Sequence, residues 1–265
     1  MTAIVEPLAT LDFGPRGTVT VVADGSALAR AAAERFARTV EAAVAERGRA
    51  IVALSGGNTP KQMGRILAHE PYRSRIPWDR LQVFWGDERY VPLGSPESNA
   101  GEARRGFLDL VPIPPANLHP WDTRAERPPD AAAAYEAEIR EVFGQPEGIP
   151  RFDLILLGMG DDGHTASLFP NTGALMADGL LAVANFVPKL DADRLTLTAP
   201  IINAARAILF LVGGPGKANT LEAVLAGPEM PDRLPAQLVR PAFPDATLTW
   251  LVDEDAAARL SRKGA

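Results

Sequence analysis

The chain has 265 residues, of which 46% are hydrophobic and 23% are charged, a composition usual for a globular protein and unusual for a disordered one. Its formal net charge is −6 and no basic run stands out, which argues against a protein that binds nucleic acid or a membrane surface. Cysteine is absent, so disulfides, thiolate catalysis and thiolate metal sites are excluded.

No targeting or membrane-spanning segment is visible in the sequence. Residues 1–17 contain no basic side chain before Arg16 and no apolar core, so we predict no secretory signal. The longest apolar runs, such as Ala207–Val212, are too short to span a bilayer. We therefore expect a cytoplasmic protein.

Strand-like and helix-like segments alternate along the chain. The predicted strands are, in order, residues 18–23, 50–54, 81–85, 152–157, 181–186, 194–197, 207–212 and 247–252. The predicted helices cover residues 26–47, 60–68, 98–110, 130–143 and 217–225, the first with Ser26 as its cap. This alternation predicts an α/β fold, with a mainly parallel open sheet covered by helices on both faces in a Rossmann-like layered architecture. Because no repeat or long linker interrupts it, we predict one domain over residues 1–265.

Four polar loops each follow a predicted strand, and this shared position is informative. The carboxyl ends of parallel strands lie along one edge of a sheet, and α/β proteins bind their ligands just beyond that edge. We therefore expect the four loops to meet at one site.

The first loop follows the strand 50–54 and contains two adjacent glycines. Their backbone N–H groups can approach an anion closely, and the start of the next helix adds a favourable partial charge. A tight strand-to-helix turn with hydroxyl caps explains the same residues equally well. The candidate anion-binding residues here are Ser55, Gly56, Gly57 and Asn58.

The second loop, after the strand 81–85, carries two acids and an arginine, namely Asp87, Glu88 and Arg89. These side chains could orient sugar hydroxyls and hold an anionic group, but surface ion pairs of this kind are common and contribute little stability. Ser98 and Asn99 could belong to the same site or could cap the helix that follows them.

The third loop delivers Asp161, Asp162 and His164 to the end of an apolar run. An imidazole flanked by carboxylates at this place is a candidate for acid–base chemistry, and a structural histidine that caps the turn is the alternative. The glycines of this loop also match the dinucleotide-binding fingerprint. We favour acid–base chemistry over this interpretation, because the two aspartates would repel a pyrophosphate and no strand ends at Asp178, which lies near the acidic spacing that ribose recognition requires.

The fourth loop ends in Lys217 at the start of a helix, a position suited to a phosphate or carboxylate ligand. It is not a Walker A loop, because its spacing differs and Ala218 stands where a magnesium-binding hydroxyl is needed. An exposed lysine without a ligand is the alternative. No two histidines have metal-ligand spacing, so we expect no transition metal.

In this order, the four loops resemble the glucosamine-6-phosphate isomerase/6-phosphogluconolactonase superfamily. The resemblance extends from about residue 21 to residue 253 and is carried by segments 55–60, 87–89 with 98–99, 158–170, and by Lys217. The deaminase branch usually has glutamate at the position of Phe169 and tends to have tyrosine at that of Arg89. This chain resembles the lactonase branch at both positions.

The resemblance implies an enzyme of the oxidative pentose phosphate pathway that hydrolyses 6-phospho-D-glucono-1,5-lactone, with no cofactor and no metal. It implies that His164 is the general base and that Asp162 orients it. Lys217 and the glycine amides would hold the phosphate, and Arg89 would hold an anionic or hydroxylated part of the substrate. The residues implied to bind substrate are Ser55, Gly56, Gly57, Asn58, Asp87, Arg89 and Lys217.

Three other functions stay open at this point: an amino sugar phosphate deaminase, a non-catalytic protein that binds a sugar phosphate, and a dinucleotide-dependent oxidoreductase, which tight binding of NAD(P) would support. Release of ammonia from glucosamine 6-phosphate would identify the deaminase. We expect a phosphorylated sugar lactone as the small-molecule partner, and neither nucleic acid nor a membrane. Protein partners are left open.

Overall fold

The computed structural model describes residues 5–260 and arranges the strands in two sheets. The strands are β1 (Ala9–Asp12), β2 (Thr18–Val22), β3 (Ala50–Leu54), β4 (Leu81–Trp85), β5 (Asp87–Arg89), β6 (Leu154–Leu157), β7 (Ala182–Val187), β8 (Ala192–Leu197), β9 (Ala207–Val212) and β10 (Thr247–Asp253). The helices are α1 (Gly25–Arg47), α2 (Asn58–Leu67), α3 (Tyr72–Arg75), α4 (Asn99–Gly106), α5 (Pro128–Phe143), α6 (Ala199–Ala204) and α7 (Ala218–Ala226). Within these residues no helix has both the length and the hydropathy needed to cross a membrane.

The larger sheet has seven strands in the order β1-β2-β10-β9-β6-β3-β4, and all neighbours are parallel except β1 and β2. Every residue of β3 and β6 is buried. Because successive strand residues point to opposite faces, this burial means that both faces of the sheet are covered. At the centre, Ile155 of β6 pairs with Ala53 of β3 on one side and Ile208 of β9 on the other. The predicted α/β fold is confirmed.

The direction in which strands are added reverses between β3 and β6. From β3 the chain continues to β4 on one side, whereas β6, β9 and β10 are added in turn on the other side. A crevice opens beyond the carboxyl ends of the strands at such a reversal, and α/β proteins bind ligands there. The loops that follow β3 and β6 therefore flank a natural ligand site.

The second sheet differs from the sequence prediction. The predicted strands at 181–186 and 194–197 form the antiparallel pair β7 and β8, and they do not join the parallel sheet. They form a three-stranded sheet with β5, a segment that the sequence analysis treated as a loop. Aspartate and glutamate are uncommon in strands, so the pairing with β8, and not local propensity, makes this segment a strand. The short edge strand β1 was also not predicted.

Two of the differences from the predicted helix ends have a clear local cause. Asp24 caps α1 instead of Ser26, because the Asp24 carboxylate accepts a hydrogen bond of 2.7 Å from the backbone N–H of Ala27. The helix predicted over residues 98–110 ends at Gly106, because Phe107, at φ −163°, leaves the helical region. A 3-10 turn, Leu108–Leu110, follows it.

Candidate active site

Residues from the four polar loops line one cleft of about 370 Å³, a volume within the range of small-molecule sites. Eight of the nine site residues proposed from the sequence line it, namely Ser55, Gly56, Gly57, Asn58, Asp87, Arg89, His164 and Lys217. The ninth, Asp162, contacts His164. The structure therefore brings the loops together, and the roles of these residues stay predictions.

His164 lies in the loop after β6, and its ring is held by two neighbours. Its Nδ1 is 2.5 Å from Oδ1 of Asp162, and the imidazole stacks on the ring of Phe169 with the centroids 4.0 Å apart. Gly160 permits this position, because a Cβ atom at residue 160 would lie 2.1 Å from Nδ1 of His164. The imidazole is thus held in one orientation at the cleft.

Burial lowers the pKa of His164 to about 4, so the imidazole is uncharged at neutral pH. The carboxylate of Asp87 acts in the opposite direction, and the positive charges of Lys217 and Arg194 lower the pKa further. An uncharged imidazole carries its proton on one nitrogen only. Because the Asp162 carboxylate accepts a hydrogen bond, we assign that proton to Nδ1. The Nε2 atom then keeps its lone pair and can accept a proton.

Asp162 also contacts a lysine that the sequence analysis missed. One oxygen of Asp162 faces His164, and the other accepts a hydrogen bond from Nζ of Lys189. Lys189 lies in the turn between β7 and β8, and its Nζ is 5.1 Å from the centroid of the Phe169 ring. Its ammonium group offsets part of the negative charge of Asp162. Nothing near Lys189 in the sequence marks this role, because the β7–β8 hairpin carries it to the site.

The two acids of β5 have different surroundings. Glu88 is 1% exposed. Its carboxylate accepts hydrogen bonds from the backbone N–H groups of Arg89, Asn99 and Ala100 and from the hydroxyl of Ser98. Burial raises the pKa of Glu88, whereas these donors act to lower it. Glu88 therefore anchors the start of α4 and is not free to bind a ligand.

Asp87 instead lines the cleft, at the end of a hydrogen-bonded network. The hydroxyl of Ser167 donates to its carboxylate at 2.7 Å, and the side-chain amide of Asn99 donates to its backbone carbonyl at 3.0 Å. Asn99 in turn accepts a hydrogen bond of 2.8 Å from Arg89. A Cβ atom at Gly56 would lie 1.9 Å from Oδ1 of Asn99, so only glycine permits this contact. The network therefore joins the segment after β4 to the loop after β6, and Asn99 lies against the loop after β3.

The start of α2 lies at the cleft without a side-chain cap. Its N-cap is Gly57, whose φ of 108° lies in a region that side chains disfavour. The first backbone N–H groups of a helix have no partner within the helix and carry a partial positive charge. These groups are therefore available to an anion, and the binding of an anion by this glycine pair stays a prediction.

Lys217 is paired with a carboxylate in this structure. Its Nζ is 2.6 Å from Oδ1 of Asp161, and this partner holds the pKa of the Asp161 carboxyl below its usual range. The two neighbouring aspartates are thus engaged by different lysines, Asp161 by Lys217 and Asp162 by Lys189.

Arg194 is a second residue that sequence reasoning missed. It lies directly opposite Arg89 in the β5–β8 pairing, so the two side chains share one face of the small sheet. Burial, together with the charge of Arg89, lowers the pKa of Arg194. Its guanidinium donates to the carbonyl of Asp193 at 3.3 Å and forms no ion pair with any carboxylate between residues 5 and 260. The carboxylates of Asp87, Glu97 and Glu88 act on Arg194 only through longer-range attraction, so its guanidinium and that of Arg89 could together hold an anion.

Metal-ligating side chains are not clustered in the part of the chain that the structure describes. No group of three or more histidine, aspartate and glutamate side chains is placed there to hold a metal ion. The positively charged side chains that line the cleft are Arg89 and Lys217, and Arg194 lies opposite Arg89 in the small sheet.

Comparisons with known proteins show which family this chain is similar to. Residues 23–250 match the model of a family described as glucosamine-6-phosphate isomerases/6-phosphogluconolactonase. A 6-phosphogluconolactonase from Synechocystis sp. is 46% identical over 220 residues, which cover 82% of this chain and 88% of that protein. One from Nostoc sp. is 40% identical over 246 residues, which cover 92% of this chain and 98% of that protein. The solved structure of a 6-phosphogluconolactonase from Trypanosoma cruzi has a TM-score of 0.82 at 28% identity and covers 95% of this chain and 99% of its own.

Proposed function

The chain belongs to the glucosamine-6-phosphate isomerase/6-phosphogluconolactonase family, and on that premise we propose that it is a lactonase of the oxidative pentose phosphate pathway. It hydrolyses 6-phospho-D-glucono-1,5-lactone to 6-phospho-D-gluconate. The observation that carries this proposal is an uncharged imidazole with a free Nε2, placed in a cleft that also holds cationic side chains. A base next to an anion site suits the hydrolysis of an ester that bears a phosphate.

The reaction begins when Nε2 of His164 takes a proton from a water molecule whose oxygen bonds to the lactone carbonyl carbon. The tetrahedral intermediate then breaks its bond to the ring oxygen. Protonated His164 returns its proton to that oxygen, which leaves as a hydroxyl group, so no proton is gained or lost by the enzyme. A lactone is an activated ester, and a positioned base that contributes about 10²- to 10⁴-fold is enough without a covalent intermediate.

Asp162 and Lys189 adjust the basicity of His164 in this scheme. Asp162 accepts the Nδ1–H and stabilises the imidazolium that forms during water attack. Lys189 donates to the other oxygen of Asp162 and offsets part of its negative charge, while burial keeps the imidazole uncharged before the substrate binds. The base is therefore uncharged at neutral pH, and the carboxylate already bonded to its Nδ1 stabilises the positive charge when that charge develops.

The phosphate of the substrate binds to the cationic part of the cleft. Lys217 and the backbone N–H groups at the start of α2 supply donors on one side. Arg89 and Arg194 supply two guanidinium groups, which suit the planar recognition of phosphate oxygens. Because the phosphate is remote from the reacting carbonyl, these contacts contribute mainly to binding and orientation.

The rival activity within the family is deamination of an amino sugar phosphate, and Phe169 argues against it. That chemistry uses a carboxylate relay at this position, and here an aromatic ring stacks on the histidine instead. The ring cannot exchange a proton. Glucosamine 6-phosphate is therefore expected to yield no ammonia, a result that a coupled ammonia assay checks.

The direct test is turnover of freshly prepared 6-phosphogluconolactone, followed by acid release and corrected for spontaneous ring opening. Turnover above the spontaneous rate supports a lactonase. Tight binding of the phosphosugar without turnover would instead identify a binding protein.

Whether residues 1–265 form one domain stays a prediction, because the two chain ends lie outside the described residues.

Replacing Lys217 with alanine is expected to raise KM for the phosphorylated lactone about 10-fold with little change in kcat, because a charge-assisted hydrogen bond to phosphate is lost. Steady-state kinetics on phosphorylated and unphosphorylated gluconolactone measure the effect. The unphosphorylated lactone serves as the control and should react equally well with both proteins. Equal losses on the two substrates would show that Lys217 does not contact the phosphate.

The pH dependence of kcat/KM follows from the lowered pKa of His164 in the free enzyme. Because the imidazole takes up its proton near pH 4 instead of 6.5, kcat/KM for unphosphorylated gluconolactone is expected to stay level from pH 8 to about 5 and to fall below that. The unphosphorylated lactone is required, since kcat/KM for the phosphorylated lactone would also record the substrate phosphate, whose second pKa is about 6. A midpoint between 6 and 7 would contradict this assignment.

The unfolded chain takes up the same proton at higher pH, so His164 lowers the stability of the folded protein as pH falls from 6.5 towards 4.

A further inference from the structure

Asp161 reaches the proposed phosphate-binding lysine from the rim of the cleft. Its side chain is 80% exposed, whereas that of Lys217 is 26% exposed. Lys217 lines the cleft, and Asp161 is not among the described residues that line it. The two nevertheless make an ion pair of 2.6 Å. The carboxylate of Asp161, at the rim, is thus paired with the ammonium group of Lys217, which faces the cleft.

The backbone of Asp161 is fixed independently of this ion pair. The hydroxyl of Thr220, on α7, donates a hydrogen bond of 2.7 Å to the carbonyl oxygen of Asp161. The loop after β6 is therefore tied to α7 through the main chain. The carboxylate reaches Lys217 only through its own short side chain, so rotation about one side-chain bond releases the lysine without moving the loop.

A phosphate ester and a carboxylate compete for the same ammonium group. An exposed ion pair contributes little, about 0.2–1 kcal/mol, whereas hydrogen bonds from a charged donor to a phosphate are stronger. The phosphate therefore displaces Asp161, but it binds less tightly than it would to an unoccupied lysine. Asp162, the next residue, is held by His164 and Lys189 and does not take part in this exchange.

We propose that Asp161 is a gate on the phosphate subsite, where its carboxylate occupies Lys217 until a phosphorylated ligand displaces it. This inference deepens the proposed function and rests on its assignment of Lys217 to the phosphate. The gate weakens the binding of every phosphorylated ligand, including the product. Asp161 thereby raises KM and speeds the release of 6-phosphogluconate, while leaving the reacting carbonyl untouched.

Equilibrium binding of 6-phosphogluconate, measured by calorimetry, tests the gate without turnover. Asp161→Asn keeps the shape of the side chain and removes its charge, and it is expected to lower Kd about 2- to 5-fold, equivalent to the loss of one exposed ion pair. Combined with Lys217→Ala, the same change should alter Kd by less than about 1.5-fold, because the ammonium group for which Asp161 and the phosphate compete is then absent. The affinity for gluconate, which lacks the phosphate, should not increase with Asp161→Asn.

Glu147→Gln is the matched control for the loss of one negative charge. Glu147 is exposed in the segment between α5 and β6, at the amino end of that strand and away from the cleft. Its change should leave Kd for 6-phosphogluconate unaltered. Asp161→Ser should act like Asp161→Asn, and thermal unfolding should give the wild-type Tm for both.

Three results would overturn the gate. Weaker binding by Asp161→Asn would mean that Asp161 positions Lys217 for phosphate instead of competing with it. If Asp161→Asn lowered Kd equally in the wild-type protein and in the Lys217→Ala variant, the effect would be a long-range one of charge. An unchanged Kd for Lys217→Ala alone would remove Lys217 from the phosphate subsite and the gate with it, whereas the lactonase proposal would still be judged by turnover.

Discussion

Replacing His164 with alanine is expected to lower kcat by about 10²- to 10⁴-fold, the usual contribution of a positioned general base. The reason is that the free Nε2 is the atom proposed to take a proton from the attacking water. The loss should appear in kcat and not in the affinity for the phosphate, which other residues bind. Turnover of the lactone, corrected for spontaneous opening, and calorimetric binding of 6-phosphogluconate measure the two quantities.

The same substitution at His69 is the matched control. His69 is exposed beyond the end of α2 and is expected to be dispensable, so His69→Ala should keep wild-type kcat. Asp162→Asn should give a smaller loss than His164→Ala, because the base remains but the imidazolium is no longer stabilised by a charge. Unchanged turnover by His164→Ala would remove this histidine from the base role.

Replacing Arg194 with methionine is expected to raise KM for the phosphorylated lactone by about 30- to 150-fold, since two charge-assisted hydrogen bonds to the phosphate are lost from a half-buried site. Methionine keeps much of the length of the side chain without its charge. Steady-state kinetics on the phosphorylated and unphosphorylated lactones measure the change. A comparable fall in kcat, with KM unchanged, would place Arg194 at the carbonyl oxygen instead.

Stability separates a binding role of Arg194 from a structural one. Arg194 and Arg89 lie directly opposite each other on neighbouring strands, where like charges are destabilising. Arg194→Met should therefore unfold at the same Tm as the wild-type protein or at a higher one, despite its loss of affinity. Arg194→Lys keeps the positive charge but lacks the planar guanidinium group that can donate two parallel hydrogen bonds, so it should recover part of the affinity. A lower Tm with unchanged KM would identify Arg194 as structural.

Much of the larger sheet was predictable because its strands are short and apolar. The central strands β3, β6 and β9 read as continuous apolar runs, and such runs need burial on both faces. The small sheet was not predictable in the same way. Its strand β5 consists of charged residues, and its pairing with β8 joins segments more than a hundred residues apart, as in the pair Glu88 and Leu195.

The candidate site shows the same division. Sequence reasoning found Asp162, His164 and Lys217, because each follows an apolar strand and a glycine turn. It did not find Lys189 or Arg194, which lie in or beside a hairpin with no glycine turn of that kind.

Local sequence patterns are enough to predict that a parallel sheet brings four polar loops to one edge, because hydrophobic burial and the period of each segment are local properties. Which charged side chains meet at that edge depends on how distant segments pair in the folded chain. The carboxylate of Glu88 accepts hydrogen bonds from the start of α4, whereas Asp87 lines the cleft. Arg194 lies opposite Arg89, and Lys189 contacts Asp162. These contacts depend on the register between distant strands, and no local pattern of residues specifies that register.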